Sequence, residues 1–144
     1  MTVTMDKILC ATDGSAPSAK TVTFAIELAQ RLALPLSFIT VVDVSEGDAP
    51  TVWDPEALMA GKLPVDKPLL LAVEQALKAG QRRIAAIRAP GKEIARTLVH
   101  YAENNSYHHI VMGSQGLTGA KRLLIGSVAA DVVNLAHCPV TVVR

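Results

Sequence analysis

Apolar positions in this chain follow two rhythms. Short, nearly continuous apolar runs alternate with stretches in which apolar residues return every three or four positions. Lys7 to Thr12 is a run of the first kind, ended by Asp13-Gly14-Ser15, and predicts a buried strand followed by a turn. Pro17 and Ser18 open a helix with Phe24, Ala25, Leu28, Ala29 and Leu32 on one face, Ser15 supplying the cap and Leu34-Pro35 the stop. Leu36 to Val44 is rich in β-branched residues and apolar throughout, as strands covered on both faces are. Residues 45–66 carry Gly47, Pro50, Pro55, Gly61 and Pro64, and predict a long loop with at most a helical turn at Glu56 to Ala60.

Leu69 to Lys78 is a helix closed by Gly80. Arg82 to Ala89 suits a helix or a strand by composition. The alternation around it, and Pro90-Gly91 after it, favour a strand. Lys92 to Asn105 is an amphipathic helix with Ile94, Leu98, Tyr101 and Ala102 on one side. Tyr107 to Met112 is a strand, Gly113 to Gly126 a glycine-bearing loop, and Ser127 caps a last helix that turns Val128, Val132, Val133 and Ala136 inward. Pro139 to Val143 is the closing strand. Strand and helix alternate throughout, with crossover connections. The expected fold is α/β: a doubly wound, Rossmann-like, five-stranded parallel sheet of order 3-2-1-4-5, helices on both faces, forming one domain over residues 1–144. Ligands of such folds sit beyond the carboxyl ends of the strands, where strand order reverses. The first and fourth strands flank that crevice, and their ends carry Asp13 and Gly113.

Composition narrows the function. With 14 Lys and Arg against 13 Asp and Glu, the net charge of +1 argues against a general nucleic-acid binder. Aromatic residues are 3% of the chain, too few for base-stacking platforms or for an isoalloxazine ring, which speaks against a flavin protein. Cys10 and Cys138 form no C-x-x-C pair, so a disulfide scaffold and a zinc ribbon are both disfavoured, and a reducing, cytoplasmic setting is expected. No apolar run spans a membrane. His108 and His109 point to opposite faces if they lie on a strand, and so make a poor metal pair. Arg82, Arg83 and Arg88 are expected to be exposed charges.

The segment from Gly113 to Ser127 carries the most chemistry. Its glycines allow close backbone approach, its N–H groups can form an anion nest, and Gly126-Ser127 opens a helix whose positive end favours phosphate. Ser114, Thr118 and Ser127 add hydroxyls; Lys121 and Arg122 add charge or merely solubility. The segment is neither a Walker A loop nor a G-x-G-x-x-G fingerprint. The alternative is a mobile loop before a helix.

The pattern G-x2-G-x9-G-[ST], preceded by Ile110-Val-Met-Gly113, resembles the universal stress proteins. So do Ala11-Thr-Asp-Gly-Ser15, Thr40-Val-Val-Asp43 and His137-Cys-Pro-Val-Thr-Val-Val143, in the same order along nearly the whole chain. The nine residues between Gly116 and Gly126 resemble the branch of that family that binds ATP. The resemblance implies that Asp13 contacts ribose or lies near the phosphates and a Mg²⁺ or Mn²⁺ ion reached through water. It implies adenine on the backbone of Val41, ribose beside Met112 and Gly113, and phosphates on Gly116, Gly126, Ser127 and Val128. Ala11, Thr12 and Ser114 complete the implied set. It further implies a homodimer through the last strand, with Val140 and Val142, and a non-catalytic or slowly hydrolysing nucleotide sensor of stress acting on an unidentified protein partner. A slow ATP hydrolase and a nucleotide-free interaction module are the alternatives. The weak third strand, and Ala11 where proline or valine is frequent, depart from the pattern.

Overall fold

The computed structural model describes residues 6–43, 49–61, 66–115 and 125–144. Its strands are β1 (Ile8–Ala11), β2 (Leu36–Val42), β3 (Thr51–Trp53), β4 (Ile84–Pro90), β5 (Ile110–Gly113) and β6 (Val140–Val143). Its helices are α1 (Ala16–Leu32), α2 (Pro55–Met59), α3 (Lys67–Lys78), α4 (Ile94–Asn104) and α5 (Ser127–Leu135). They form one sheet of order β3-β4-β2-β1-β5-β6. The five strands β4-β2-β1-β5-β6 run parallel, in the order the sequence predicts.

The sheet has six strands rather than five. The additional strand, β3, comes from the predicted loop. It pairs antiparallel with β4, Thr51 opposite Arg88 and Trp53 opposite Ala86. Connections are therefore not all crossovers. The three residues Thr51–Trp53 are too short a run to show a period, so this pairing was set by tertiary contact: Trp53 packs onto the core beneath the edge. The ambiguous 82–89 stretch is strand β4, held by seven parallel register pairs to β2.

Side-chain alternation divides the core into two halves. Ile8 and Cys10 of β1, Leu36 and Phe38 of β2 and Val111 of β5 face α1 and α3. Leu9, Ile39, Ile87, Ile110 and Met112 face α4 and α5. Helix α1 starts on Ser15, whose Oγ accepts from Ser18 N at 3.2 Å, and stops on Ala33 in the left-handed region at φ 54°. Its buried stripe is Ser18, Thr21, Val22, Ala25, Ile26 and Ala29. Phe24 and Leu32 lie off that stripe and are exposed, contrary to the apolar count. Ile94 of α4 and Val133 of α5 are likewise exposed, whereas Leu98, Ala102 and Val132 are buried as expected. In each case the helix covers the sheet along a narrower face than its apolar residues define.

Candidate functional site

The carboxyl ends of β1, β2 and β5 and the amino end of α5 meet at the switch point between β1 and β5. Thr12 fixes the end of β1. Its N–H donates to the Ile39 carbonyl at 3.0 Å, its carbonyl accepts from Thr40 Oγ1 at 3.2 Å, and its hydroxyl is hydrogen-bonded to Ser18 Oγ. Ala11 packs into the α4–α5 half of the core. Thr12 and Ala11 thus anchor the carboxyl end of β1.

Asp13 follows with its side chain exposed, and its Oδ1 accepts from Ser15 N at 2.9 Å. This is the turn-capping role. Gly14 takes φ +77°, and a Cβ there would meet Pro68 Cγ at 3.1 Å, so the turn closes against α3 only with glycine.

Val41 presents its backbone to the crevice. Neighbouring residues of a strand direct their N–H and C=O groups to opposite sides. The Ile39 carbonyl is directed to the β1 side, where it accepts from Thr12 N, and the Val42 carbonyl to the β4 side, where it accepts from Gly91 N at 2.9 Å. Val41 lies two residues past Ile39, so its groups are directed to the β1 side too, beyond the last β1 pairing at Ala11 and Ile39. A planar ligand edge with one donor and one acceptor suits that arrangement.

On the other flank, Met112 has its side chain buried in the α4–α5 core, so only its backbone is offered to the crevice. Gly113 and Ser114 follow. Ser114 N donates to the Val143 carbonyl at 2.8 Å, and the Ser114 carbonyl accepts from Gly126 N at 2.6 Å. That bond closes the base of the glycine loop. A Cβ at 126 would lie 2.9 Å from the same oxygen, which explains glycine there by close approach. It also commits the Gly126 N–H within the chain. Gly116, Thr118, Lys121 and Arg122 lie outside the described residues.

The cap of α5 is Gly126, at φ −63° and ψ 160°, with no side-chain cap bond. Ser127 was expected to be the cap; it is instead the first residue of the helix, and exposed. Its N–H, its hydroxyl and the following N–H of half-buried Val128 stand in the first turn, where intrahelical partners are lacking and the dipole is positive.

Remaining candidates are structural. Burial pushes the Cys10 thiol up and that of Cys138 too, the latter opposed by a backbone hydrogen bond at Ile110, so neither is an activated nucleophile. His109 is buried with Nε2 2.7 Å from Thr141 Oγ1, and burial lowers its pKa; His108 Nδ1 lies 3.9 Å from Asp6. Among the described residues no group of three His, Cys, Asp or Glu side chains is placed to hold a metal. Arg88 is not simply a free surface charge: its Nε is 3.7 Å from Oδ2 of buried Asp66, the cap of α3. The sequence reading also passed over Thr21, a hydroxyl within the buried stripe of α1 whose Oγ1 has no partner among the described residues. Its register with Ser18 and Ala25 was the available signal.

These features define a doubly wound α/β protein with a topological switch point between β1 and β5. Comparison with known proteins places it more closely. The family model of the universal stress protein family matches residues 4–144, and the chain belongs to that family. It is 36% identical over 144 residues to the universal stress protein MJ0531 of Methanocaldococcus jannaschii, covering 96% of this chain and 81% of the relative. It is 34% identical over 147 residues to YxiE of Bacillus subtilis, covering 96% and 99%. A universal stress protein solved in complex with cAMP superposes with a TM-score of 0.73 at 26% identity, over 96% of this chain and 97% of that one. One from Archaeoglobus fulgidus in complex with dAMP gives 0.68 at 23% identity over 99% and 100%, a likeness of fold.

Proposed function

We propose that this chain binds an adenine nucleotide, ATP with Mg²⁺ or Mn²⁺, as a non-catalytic or weakly hydrolysing sensor in a stress response. The observation that carries the reading is the convergence of two complementary sites: the outward-directed backbone of Val41 and, across the switch point, the first turn of α5 at Ser127 and Val128. One suits a base edge, the other a phosphate. The cAMP complex of the 26%-identical family member supports the ligand class. Met112 and Gly113 would line the ribose, with Asp13 touching ribose or, through water, a metal carried in on the phosphates. Gly116 and Ser114 would complete the phosphate side, with Gly126 contributing close backbone approach and not its N–H, which Ser114 holds.

Efficient hydrolysis requires a positioned base and charge stabilisation at the γ-phosphate. Asp13 already holds Ser15 N, so fast turnover is not expected. Signalling would instead work by population shift, with ATP binding one assembly state more tightly than another. The half-buried strand β6, with Val140 and Val142 at the sheet edge, is the proposed homodimer contact, and a protein partner would read that state. Sedimentation with and without ATP tests this coupling. We place the protein in the cytoplasm, as one domain over residues 1–144; among the described residues no helix is long and apolar enough to cross a membrane.

The direct test is calorimetric titration with Mg·ATP of the wild type and Ser127→Asp. An acidic residue in the first turn of a helix is compatible with folding, yet repels phosphate. Wild-type Kd on the order of 1 µM, about −8 kcal/mol, with at least a hundredfold loss in the variant at unchanged melting temperature, supports the reading. A folded wild type that binds no nucleotide overturns it in favour of an interaction module. Multiple-turnover ADP release by the wild type would favour the slow hydrolase.

A further inference from the structure

Asp66 is a buried carboxylate with two partners. Its Oδ1 caps α3, accepting from Leu69 N at 3.1 Å, and its Oδ2 lies 3.7 Å from Arg88 Nε on β4. A cap alone needs no charge: asparagine or serine serves as well, and a carboxylate is costly to bury. The pairing with Arg88 is therefore more than the cap requires. Between Asp66 and Leu69 stands Pro68, in the first turn of α3. It borders Gly14, where a Cβ would lie 3.1 Å from Pro68 Cγ and 3.4 Å from Pro68 Cα. On the other side, Arg88 is the register partner of Thr40, whose Oγ1 donates to the Thr12 carbonyl at 3.2 Å. These contacts form a chain from Thr12 through Thr40, Arg88, Asp66 and Pro68 to Gly14. The residue between its two ends is Asp13.

We infer that the Asp66–Arg88 pair positions Asp13 for the nucleotide, an inference that rests on the nucleotide reading. Asp13 is exposed, and the bond from Ser15 N at 2.9 Å fixes its carboxylate relative to its own turn. That bond does not fix the turn relative to the sheet. Thr40 does so before Asp13, and Pro68 does so after it. Gly14, at φ +77°, is the point where the backbone is most permissive, so a firm neighbour matters there. Pro68 is firm because the cap beside it is joined to β4 by the Arg88 guanidinium. The pair touches no ligand. It sets the turn in place before the nucleotide arrives, so that binding does not bear the cost of ordering it.

The test titrates Mg·ATP into wild type, Arg88→Gln, Asp66→Asn, Asp13→Asn and the Arg88→Gln/Asp13→Asn double variant, with a thermal melt of each. Asp66→Asn keeps an oxygen for the Leu69 N–H and Asp13→Asn one for the Ser15 N–H, so both turns stay capped. Arg88→Gln and Asp66→Asn are each expected to lose about fivefold in ATP affinity, within the usual coupling of groups in contact. In the Asp13→Asn background, Arg88→Gln should cost less than about twofold more, because the carboxylate it positions is gone. If Arg88→Gln strands the buried carboxylate and melts too early to titrate, Asp66→Asn carries the same comparison in both backgrounds. Losses that simply multiply in the double variant overturn the proposal and mark a merely structural pair. Wild-type ATP affinity in the Arg88 and Asp66 variants overturns it while leaving the nucleotide reading intact, as does wild-type affinity in Asp13→Asn. Absence of nucleotide binding by the wild type overturns both.

Discussion

The two ends of the sheet are finished on different terms. At the amino ends of the strands, side chains reach across to carbonyls left over by helices and turns. The Gln30 amide donates to the Ala79 carbonyl at 2.6 Å, the Gln81 amide to Leu34 at 3.1 Å and the Arg83 guanidinium to Ala33 at 2.6 Å. Tyr107 closes this end by donating from its hydroxyl to Ser37 Oγ at 2.7 Å. These bonds tie the carboxyl ends of α1 and α3 to the chain entering β2 and β4. At the carboxyl ends, Asp13, the Val41 backbone and the first turn of α5 are directed outward. The amino end commits these polar side chains to holding the fold together, whereas at the carboxyl end the Val41 backbone lies beyond the last β1 pairing and the first turn of α5 has no side-chain cap bond. Substitutions should therefore separate: stability changes at one end, ligand affinity at the other.

The strongest challenge to that separation is Gly126, where both properties meet. In Gly126→Ala the added Cβ lies 2.9 Å from the Ser114 carbonyl, the acceptor of the loop-closing bond. The backbone must move, at about 1–3 kcal/mol for an overpacked site. The melting temperature should fall by roughly 3–10 °C, and ATP affinity by more than tenfold as the first turn of α5 shifts. Calorimetry and thermal melts on the same sample check this. Unchanged affinity with reduced stability would show that the loop base does not position the phosphate site.

Much of this division was legible before any coordinates. Uninterrupted apolar runs marked β1, β2, β5 and β6, because strands buried on both faces need apolar residues at every position. Alternation with helices then fixed the strand order, with its reversal between β1 and β5. What escaped has physical causes. Strand β3 depends on pairing between Thr51 and Arg88, far apart in sequence, and carries no period of its own. Ser127 and Gly126 are both acceptable caps, and only the dihedrals separate them. Gly126 was selected as a phosphate donor on its type, whereas its N–H is bonded to Ser114. Thr21 went unnoticed because a hydroxyl on a helical face counts as polar, and its burial follows from what packs above it.

Tyr107→Phe probes the amino end alone. It removes the donor to Ser37 Oγ, in a pair buried beneath β2, and leaves the serine unpartnered. The expected loss is about 1–3 kcal/mol, the usual cost of stranding a buried polar group. ATP affinity should stay within about twofold of wild type, since the substitution lies at the far end of the strands. Denaturant melts give the first quantity and titration the second. A large affinity loss here would mean the two ends are coupled through the sheet.

The smallest expected effect concerns His109, where the amino end is not fully satisfied. Nε2 meets Thr141 Oγ1 on β6, while Nδ1 has no partner among the described residues. Burial lowers the pKa of this imidazole, so the folded state favours its neutral form. The unfolded chain titrates near pH 6.5. Between the folded pKa and that value the unfolded state binds more protons, so stability rises with pH through this window. It is fully present above about pH 6.5 and declines as pH falls toward the folded pKa, by at most ~1.4 kcal/mol per pH unit. His109→Gln retains a polar partner for Thr141 and cannot titrate. Melting temperatures of wild type and variant at pH 7.5, 6.5 and 5.5 should therefore differ in slope, the wild type falling more steeply on the acid side. Parallel slopes would assign acid sensitivity to other groups. A steeper wild-type slope, with nucleotide affinity unaffected at pH 7.5, would place the titrating group in the part of the sheet that holds the fold and outside the part that binds.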